Sequence, residues 1–102
     1  RFVDLSDRSI RLGTLSYANL DGADLSDADL SGQDIVQASL RGADLSDSDL
    51  SGASLFKADL TGANLIRSNL TGANLSETII DDADLTDVIT TDAIHDGSWP
   101  AG

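Results

Sequence analysis

Every fifth residue from Leu5 to Leu85 is Leu or Ile, seventeen positions without a break, with Ile only at Ile10, Ile35 and Ile80. A repeat this short and this regular constrains the backbone more than any other property of the chain. On an α-helix a step of five turns the side chain about 140°, which scatters the Leu around the axis. On a continuous strand an odd step sends successive Leu to opposite faces. Neither element buries them together.

The residues around each Leu suggest a path that does. Two positions earlier Ala dominates, as at Ala23, Ala43, Ala58 and Ala73. Asp or Asn stands between them at Asp24, Asp29, Asp44, Asn64 and Asn74, and Ser or Thr commonly follows the Leu. If each repeat is a short extended piece followed by a corner, Ala and Leu point inward and the Asp or Asn points out. The remaining two residues turn the chain. All the Leu then face one axis, and the fold is an all-β solenoid. Its core is predicted to hold Leu25, Leu45 and Leu65 stacked in one column, with Leu50 and Leu70 in another.

Glycine sets the size of the coil. Gly22, Gly32, Gly42, Gly52, Gly62 and Gly72 recur every ten residues. Three repeats per coil would scatter them over all faces, whereas four repeats keep them on two opposite faces of a square coil. Seventeen repeats then make just over four coils, a stack of about 20 Å at the usual spacing between strands.

The stretches Ala-Asp-Leu-Ser-Asp at 43–47 and Thr-Gly-Ala-Asn-Leu at 61–65 and 71–75 resemble the unit of pentapeptide-repeat proteins, and the match extends from about Val3 to Asp87. That resemblance implies a right-handed quadrilateral β-helix with the central Leu and the preceding small residue inside. It favours a bacterial source, with cyanobacteria the first candidates. It determines fold better than function.

The repeat divides the chain into a solenoid over 1–87 and a C-terminal cap or tail over 88–102. Exposed end coils need covers. Phe2 and Val3 are candidates at one end. Val88, Ile89, Ile94 and Trp99, in an otherwise polar tail, are candidates at the other, either lying over the last coil or forming a dimer contact. Gln33 and Arg8 stand where a small residue belongs, and Gly13 leaves a gap. The expected outcome is local bulging that lets the polar heads reach solvent, because buried charge is costly. Ser48, Ser68 and Thr78 are small enough to fit inward with local hydrogen bonds.

Composition narrows the function. The net charge is −12 at pH 7, which argues against nucleic-acid backbones and anionic membranes as direct partners. With no Cys, disulfide scaffolds, thiol chemistry and Cys-based zinc sites are excluded. No stretch approaches the roughly 18 apolar residues of a membrane helix, and no secretory signal pattern opens the chain. The chain starts at Arg1 and lacks Met, so a processed product or one domain of a larger protein is expected, soluble and either cytoplasmic or exported after a targeting segment is removed. The acids are 17 Asp against a single Glu, a bias toward a residue that favours turns.

Stacking by twenty gives these acids addresses. One face carries Asp4, Asp7, Asp24, Asp27, Asp44, Asp47, Asp84 and Asp87, with Asn64 and Arg67 between them. Like charges one coil apart repel and cost stability. The opposite face carries Tyr17, Val36, Gln37, Phe56, Lys57 and Glu77. It is the least acidic side and the one with exposed aromatics. The acidic face is therefore a candidate mimic of a nucleic-acid backbone, or a solvated surface that keeps the solenoid dispersed. The strip of Tyr17, Val36, Phe56 and Lys57 is a candidate protein contact.

Metal and catalytic readings fare worse. Asp27-Ala-Asp29-Leu-Ser31-Gly32 resembles the start of an EF-hand loop, but the twelfth position is Ala38 rather than Glu. His95 beside Asp96 has no nucleophile partner, and the Ser residues are ladder members without a base. No catalytic residue, metal site or cofactor is expected. Asn69-Leu-Thr71 and Asn74-Leu-Ser76 fit the glycosylation sequon, a pattern the repeat generates by itself.

The function expected on these grounds is a non-enzymatic structural or protein-interaction solenoid with an unidentified protein partner, and a homodimer through a solenoid end. The resemblance implies an alternative, because some pentapeptide-repeat proteins resemble B-form DNA and bind DNA gyrase. Against it, the chain is short and lacks a clear C-terminal dimerisation helix.

Overall fold

The computed structural model describes residues 15–96 and Trp99. Its backbone repeats one pattern from Leu15 onward: a bridging residue, the inward Leu, a two-residue corner and an inward small residue. Corners close with a hydrogen bond from the amide of the small residue to the preceding Leu carbonyl, as from Ala23 to Leu20 (3.0 Å) and from Ala43 to Leu40 (3.0 Å). The second corner residue has positive φ. Ten non-glycine residues, from Tyr17 to Asp92, adopt this conformation alongside the corner glycines.

Coils join through parallel bridges between residues twenty apart. Asp24 pairs with Asp44, Asp44 with Asn64 and Asn64 with Asp84, and the other three sides behave alike. Four five-residue repeats per coil follow directly. Around Asp44 the amide of Leu25 donates to Asp44 (2.8 Å) and the amide of Asp44 donates to Ala23 (2.9 Å), while at the corner Asp27 donates to Ser46 (3.0 Å). Each side contributes one bridging residue between two corners. For that reason no side among the described residues lengthens into a strand, although every repeat is laddered to its neighbours.

The core is the stack of Leu and Ala. Leu25, Leu45, Leu50, Leu65 and Leu70 are all sealed from solvent, together with Ala23, Ala43, Ala63 and Ala73. Burying one Leu completely contributes about 1.5–3 kcal/mol, and each coil supplies four inward Leu or Ile.

Three details differ from the sequence expectation. Gln33 does not bulge. Its amide donates to Leu30 (3.2 Å), its carbonyl accepts from Ser54 (2.9 Å) and the adjacent Asp34–Ser54 bridge is intact, so the half-buried side chain is accommodated within a regular ladder. Ser48 and Thr78 do make local bonds, donating to the carbonyls of Leu45 (2.6 Å) and Leu75 (2.9 Å). Ser68, equally buried, leaves its hydroxyl unpaired.

The third difference is where the coil stops. Ile89 bridges Asn69 and Ile94 bridges Asn74, with Val88 and Ala93 packed inward against the core. The coil path thus runs through the first residues of the segment expected to be a cap, because the path needs a small or β-branched inward residue and a corner rather than a strict Leu. At Asp96 the carboxylate takes the Glu77 amide (2.9 Å) where the preceding coils present a main-chain carbonyl. Trp99 is buried against the core and its indole N–H donates to the Thr78 hydroxyl. Phe2, Val3, Arg8 and Gly13 lie outside the described residues. No helix among the described residues is long and apolar enough to cross a membrane.

Candidate functional site

The acidic face is assembled in the expected register, and its chemistry is local. Asp24 accepts the Ser26 amide (3.1 Å) and hydroxyl (2.7 Å) on the same Oδ1. Asp44 does the same with Ser46 (3.0 and 2.7 Å), and Asp84 with Thr86 (3.1 and 2.6 Å). The amide two residues ahead begins the corner, so each carboxylate is an Asx-type cap on the turn that follows it. Asn64 caps Ile66 with the same geometry (3.0 Å) and no charge. The motif needs an oxygen at this reach, which Asp and Asn supply and Glu overshoots.

Asp27, Asp47 and Asp87 form the adjacent corner column. Arg67 interrupts it, gripping Asp47 through Nε (2.8 Å) and Nη2 (3.0 Å). The hydrogen bond from Arg67 holds the Asp47 carboxyl below its ordinary value, and the guanidinium is held more basic by Asp47 first, with smaller contributions from Asp87 and Asp27. The Asp84 carboxyl is also lowered, chiefly by the Thr86 hydroxyl and then by the Thr86 amide. The face is therefore a series of capped corners bridged by one cation. Asp4 and Asp7, assigned to the same face, lie outside the described residues.

The opposite strip is brought together only in part. Val36 and Phe56 occupy one corner column and Tyr17 and Lys57 the next. Tyr17 projects with 73% of its surface exposed, on a positive-φ backbone (65°) that β-branched and bulky residues adopt rarely. Phe56, expected to be exposed, is half-buried, and the Lys57 ammonium lies 5.4 Å from its ring centroid, within cation–π range. The strip presents two aromatics, an aliphatic side chain and a cation.

Sequence reasoning missed a third surface. The sequence does not single out Ile79, and it places Ile89 and Ile94 in a segment expected to form a cap or a dimer contact. All three point outward from the last coil with 45%, 47% and 60% of their surface exposed. The signal was available: at these three positions an Ile replaces the Asp, Asn, Ser or Thr that precedes the inward residue elsewhere.

Among the described residues no three His, Asp or Glu side chains converge on a metal-binding geometry. Asp29, part of the EF-hand-like stretch, instead caps its own corner at Ser31 (3.1 Å). His95 contacts the neighbouring Asp96 carbonyl (3.1 Å).

A family profile described as pentapeptide repeats matches residues 15–52, 23–62 and 53–89, eight copies in all. No curated protein matches the chain. Among solved structures, a pentapeptide repeat protein from the Arabidopsis thaliana thylakoid lumen is 32% identical, with a TM-score of 0.78 over 83% of this chain and 59% of its own. This chain therefore spans about three fifths of that relative's length. A pentapeptide repeat protein from the cyanobacterium Cyanothece 51142 is 34% identical over 85% of this chain and 64% of its own, with a TM-score of 0.47. A plasmid-mediated fluoroquinolone resistance protein is 21% identical over 92% of this chain and 58% of its own, with a TM-score of 0.44.

Proposed function

The chain belongs to the pentapeptide-repeat family, and on that premise we propose that it is a non-enzymatic interaction solenoid that binds a protein partner through the strip of Tyr17, Val36, Phe56 and Lys57. Family membership implies the right-handed quadrilateral form of the β-helix, and the twenty-residue register supports it. The solenoid is a rigid rod whose interior is filled by Leu and Ala, so recognition falls to its outer faces.

The observation that carries the reading is the exposure of Tyr17. The residue combines a large apolar surface in water with an unfavourable backbone conformation, at a corner position whose column otherwise carries the polar side chains Gln37, Lys57 and Glu77. Tyr and other aromatics are the residues most often found at energetic centres of protein interfaces. Lys57 over Phe56 adds a cation that an acidic groove on the partner would complement.

The test is affinity capture from the native cell, comparing wild type with Tyr17→Ser and Phe56→Asp. The reading expects the same partner to be captured by wild type and lost with both variants while thermal melting stays unchanged. A partner retained by both variants contradicts it.

The alternative, a DNA-mimic modulator of DNA gyrase, draws on the net charge and the acidic columns. It is less well supported, because Asp24, Asp44 and Asp84 are occupied by their own corners and Asp47 is paired with Arg67. A supercoiling assay with micromolar protein separates the two readings: inhibition or protection of gyrase favours the mimic, and no effect removes it.

A further inference from the structure

We propose that the edge from Ala83 to Ala93 is a docking site for an extended, basic segment of a partner protein, which adds one rung to the ladder there. In the coil beneath, the amides of Leu65, Arg67, Leu70 and Gly72 donate to the carbonyls of Asp84, Thr86, Ile89 and Thr91 (2.7–3.0 Å). The carbonyls of Ala63, Ser68 and Ala73 accept the amides of Asp84, Ile89 and Ile94 (2.8–2.9 Å). Twenty residues on, the amides of Leu85, Asp87, Thr90 and Asp92 make no main-chain hydrogen bond among the described residues. Nor do the carbonyls of Ala83, Val88 and Ala93.

That alternation of donors and acceptors identifies the class of ligand. A main chain in extended conformation supplies carbonyls and amides together at the spacing of a strand edge. The ladder beneath runs parallel, so the added segment runs in the same sense. At the remaining corner the chain closes on itself, with Asp96 on the Glu77 amide and Trp99 on the Thr78 hydroxyl.

Both surfaces of the edge are unfinished. On the inner side Ala83, Leu85 and Val88 are only partly buried, whereas Ala63, Leu65 and Ser68 beneath them are sealed. On the outer side Ile89 and Ile94 stack on Asn69 and Asn74 and keep 47% and 60% of their surface open. Neither Ile offers an oxygen to the corner that follows, as Asn69 and Asn74 do. A rung that is apolar on both sides covers the inner and the outer surface at once.

Charge selects what passes the corners. Asp84, Asp87 and Asp92 stand along the edge, and no Lys or Arg lies between Ala83 and Ala93. A second copy of this chain would bring the same acids against them, and like charges in register repel. A segment with Lys or Arg where it rounds the corners complements Asp87 and Asp92 instead. Lys57 and Arg67 hold that corner position within this chain at φ 61° and 58°, so the turn admits a cation. The occupant therefore reads small, apolar, Leu, Ser, basic, repeated.

This edge and the Tyr17–Lys57 strip are separate surfaces, and neither reading depends on the other. The test titrates the 102-residue protein into the fluorescently labelled peptide Ser-Lys-Ala-Val-Leu-Ser-Lys-Ala-Val-Leu and follows anisotropy. Binding is expected with a dissociation constant below about 1 mM, weakening on the order of tenfold between about 50 mM and about 500 mM NaCl. Pro in place of both Val removes the amides that Val88 and Ala93 would accept, and Glu in place of both Lys reverses the charge. Each change should abolish binding. Ile89→Asn combined with Ile94→Asn returns an oxygen to both corners, so the melting temperature should hold while binding weakens on the order of tenfold. The peptide variants leave the protein untouched and decide the matter even if that pair fails to fold. No binding of the Lys peptide, equal binding of the Pro peptide, or self-association of the protein that leaves the peptide free overturns the proposal.

Discussion

Asp24 and Asp44 are bridge partners in adjacent coils, and each turns its carboxylate to the serine two residues ahead, Ser26 and Ser46, rather than toward the other coil. Two like charges stacked in one column are tolerated because each is already committed to a corner. The acidity of the surface is in this sense a by-product of corner capping.

Arg67 and Asp47 contribute one part of the acid dependence of stability. The Asp47 carboxyl is held below its ordinary value in the folded state, so its contribution is present above the unfolded value of about 3.9 and is lost as pH falls through the lower folded value. Arg67→Ala should therefore lower the melting temperature at pH 7, and that penalty should shrink as acid protonates the Asp47 carboxyl. Both groups are exposed and the pair is weakened by salt. Thermal melts of the two proteins from pH 7 to pH 2 check it, and a penalty independent of pH refutes it.

Ser68 and Ser48 occupy the same column one coil apart and should respond oppositely to Ala. Ser48 donates to Leu45, so Ser48→Ala is expected to cost about 0.5–1.5 kcal/mol. The Ser68 hydroxyl is buried without a partner, so Ser68→Ala should stabilise by about 1 kcal/mol. Urea unfolding of the two single variants decides, with equal destabilisation contradicting the assignment.

Gly52 separates backbone strain from packing. A Cβ added there meets nothing within 4 Å, yet φ is +68°, so Gly52→Ala is expected to cost about 1–2 kcal/mol through conformation alone. Asp92 holds the same corner column two coils on at φ 58°, and Asp92→Gly should recover part of that amount. The midpoints of urea unfolding report both, and a neutral Gly52→Ala would show that the corner tolerates a side chain freely.

The five-residue period made the register legible before any coordinate. Leu25, Leu45 and Leu65 fall in one buried column because a coil of twenty is the smallest that keeps the glycines on opposite faces. The acidic face and the strip were also legible as lists of residues. What they do was not. Counting charges on a face reads Asp24 and Asp44 as free anions, and only the corner geometry shows their oxygens engaged. Phe56 looked exposed because it stands at a corner, but the first corner residue folds back onto its face while the second, Tyr17, projects. Ile89 and Ile94 fall in the segment expected to form a cap or a dimer contact because the Leu periodicity fails beside them, although the backbone path depends on the corner bonds and continues without it.

The most direct test of the account compares Asp24, Asp44 and Asp84 replaced together by Asn and replaced together by Glu, with melting temperature as the readout. If these residues stand in the repeat as corner caps, the Asn variant keeps the cap oxygen, sheds three like charges and melts at or above the wild-type temperature. The Glu variant keeps the charge, loses the cap and melts lower, by about 1 kcal/mol per site. An Asn variant that melts well below wild type, with a Glu variant that matches it, would contradict the account and return the acidic face to a role set by its charge.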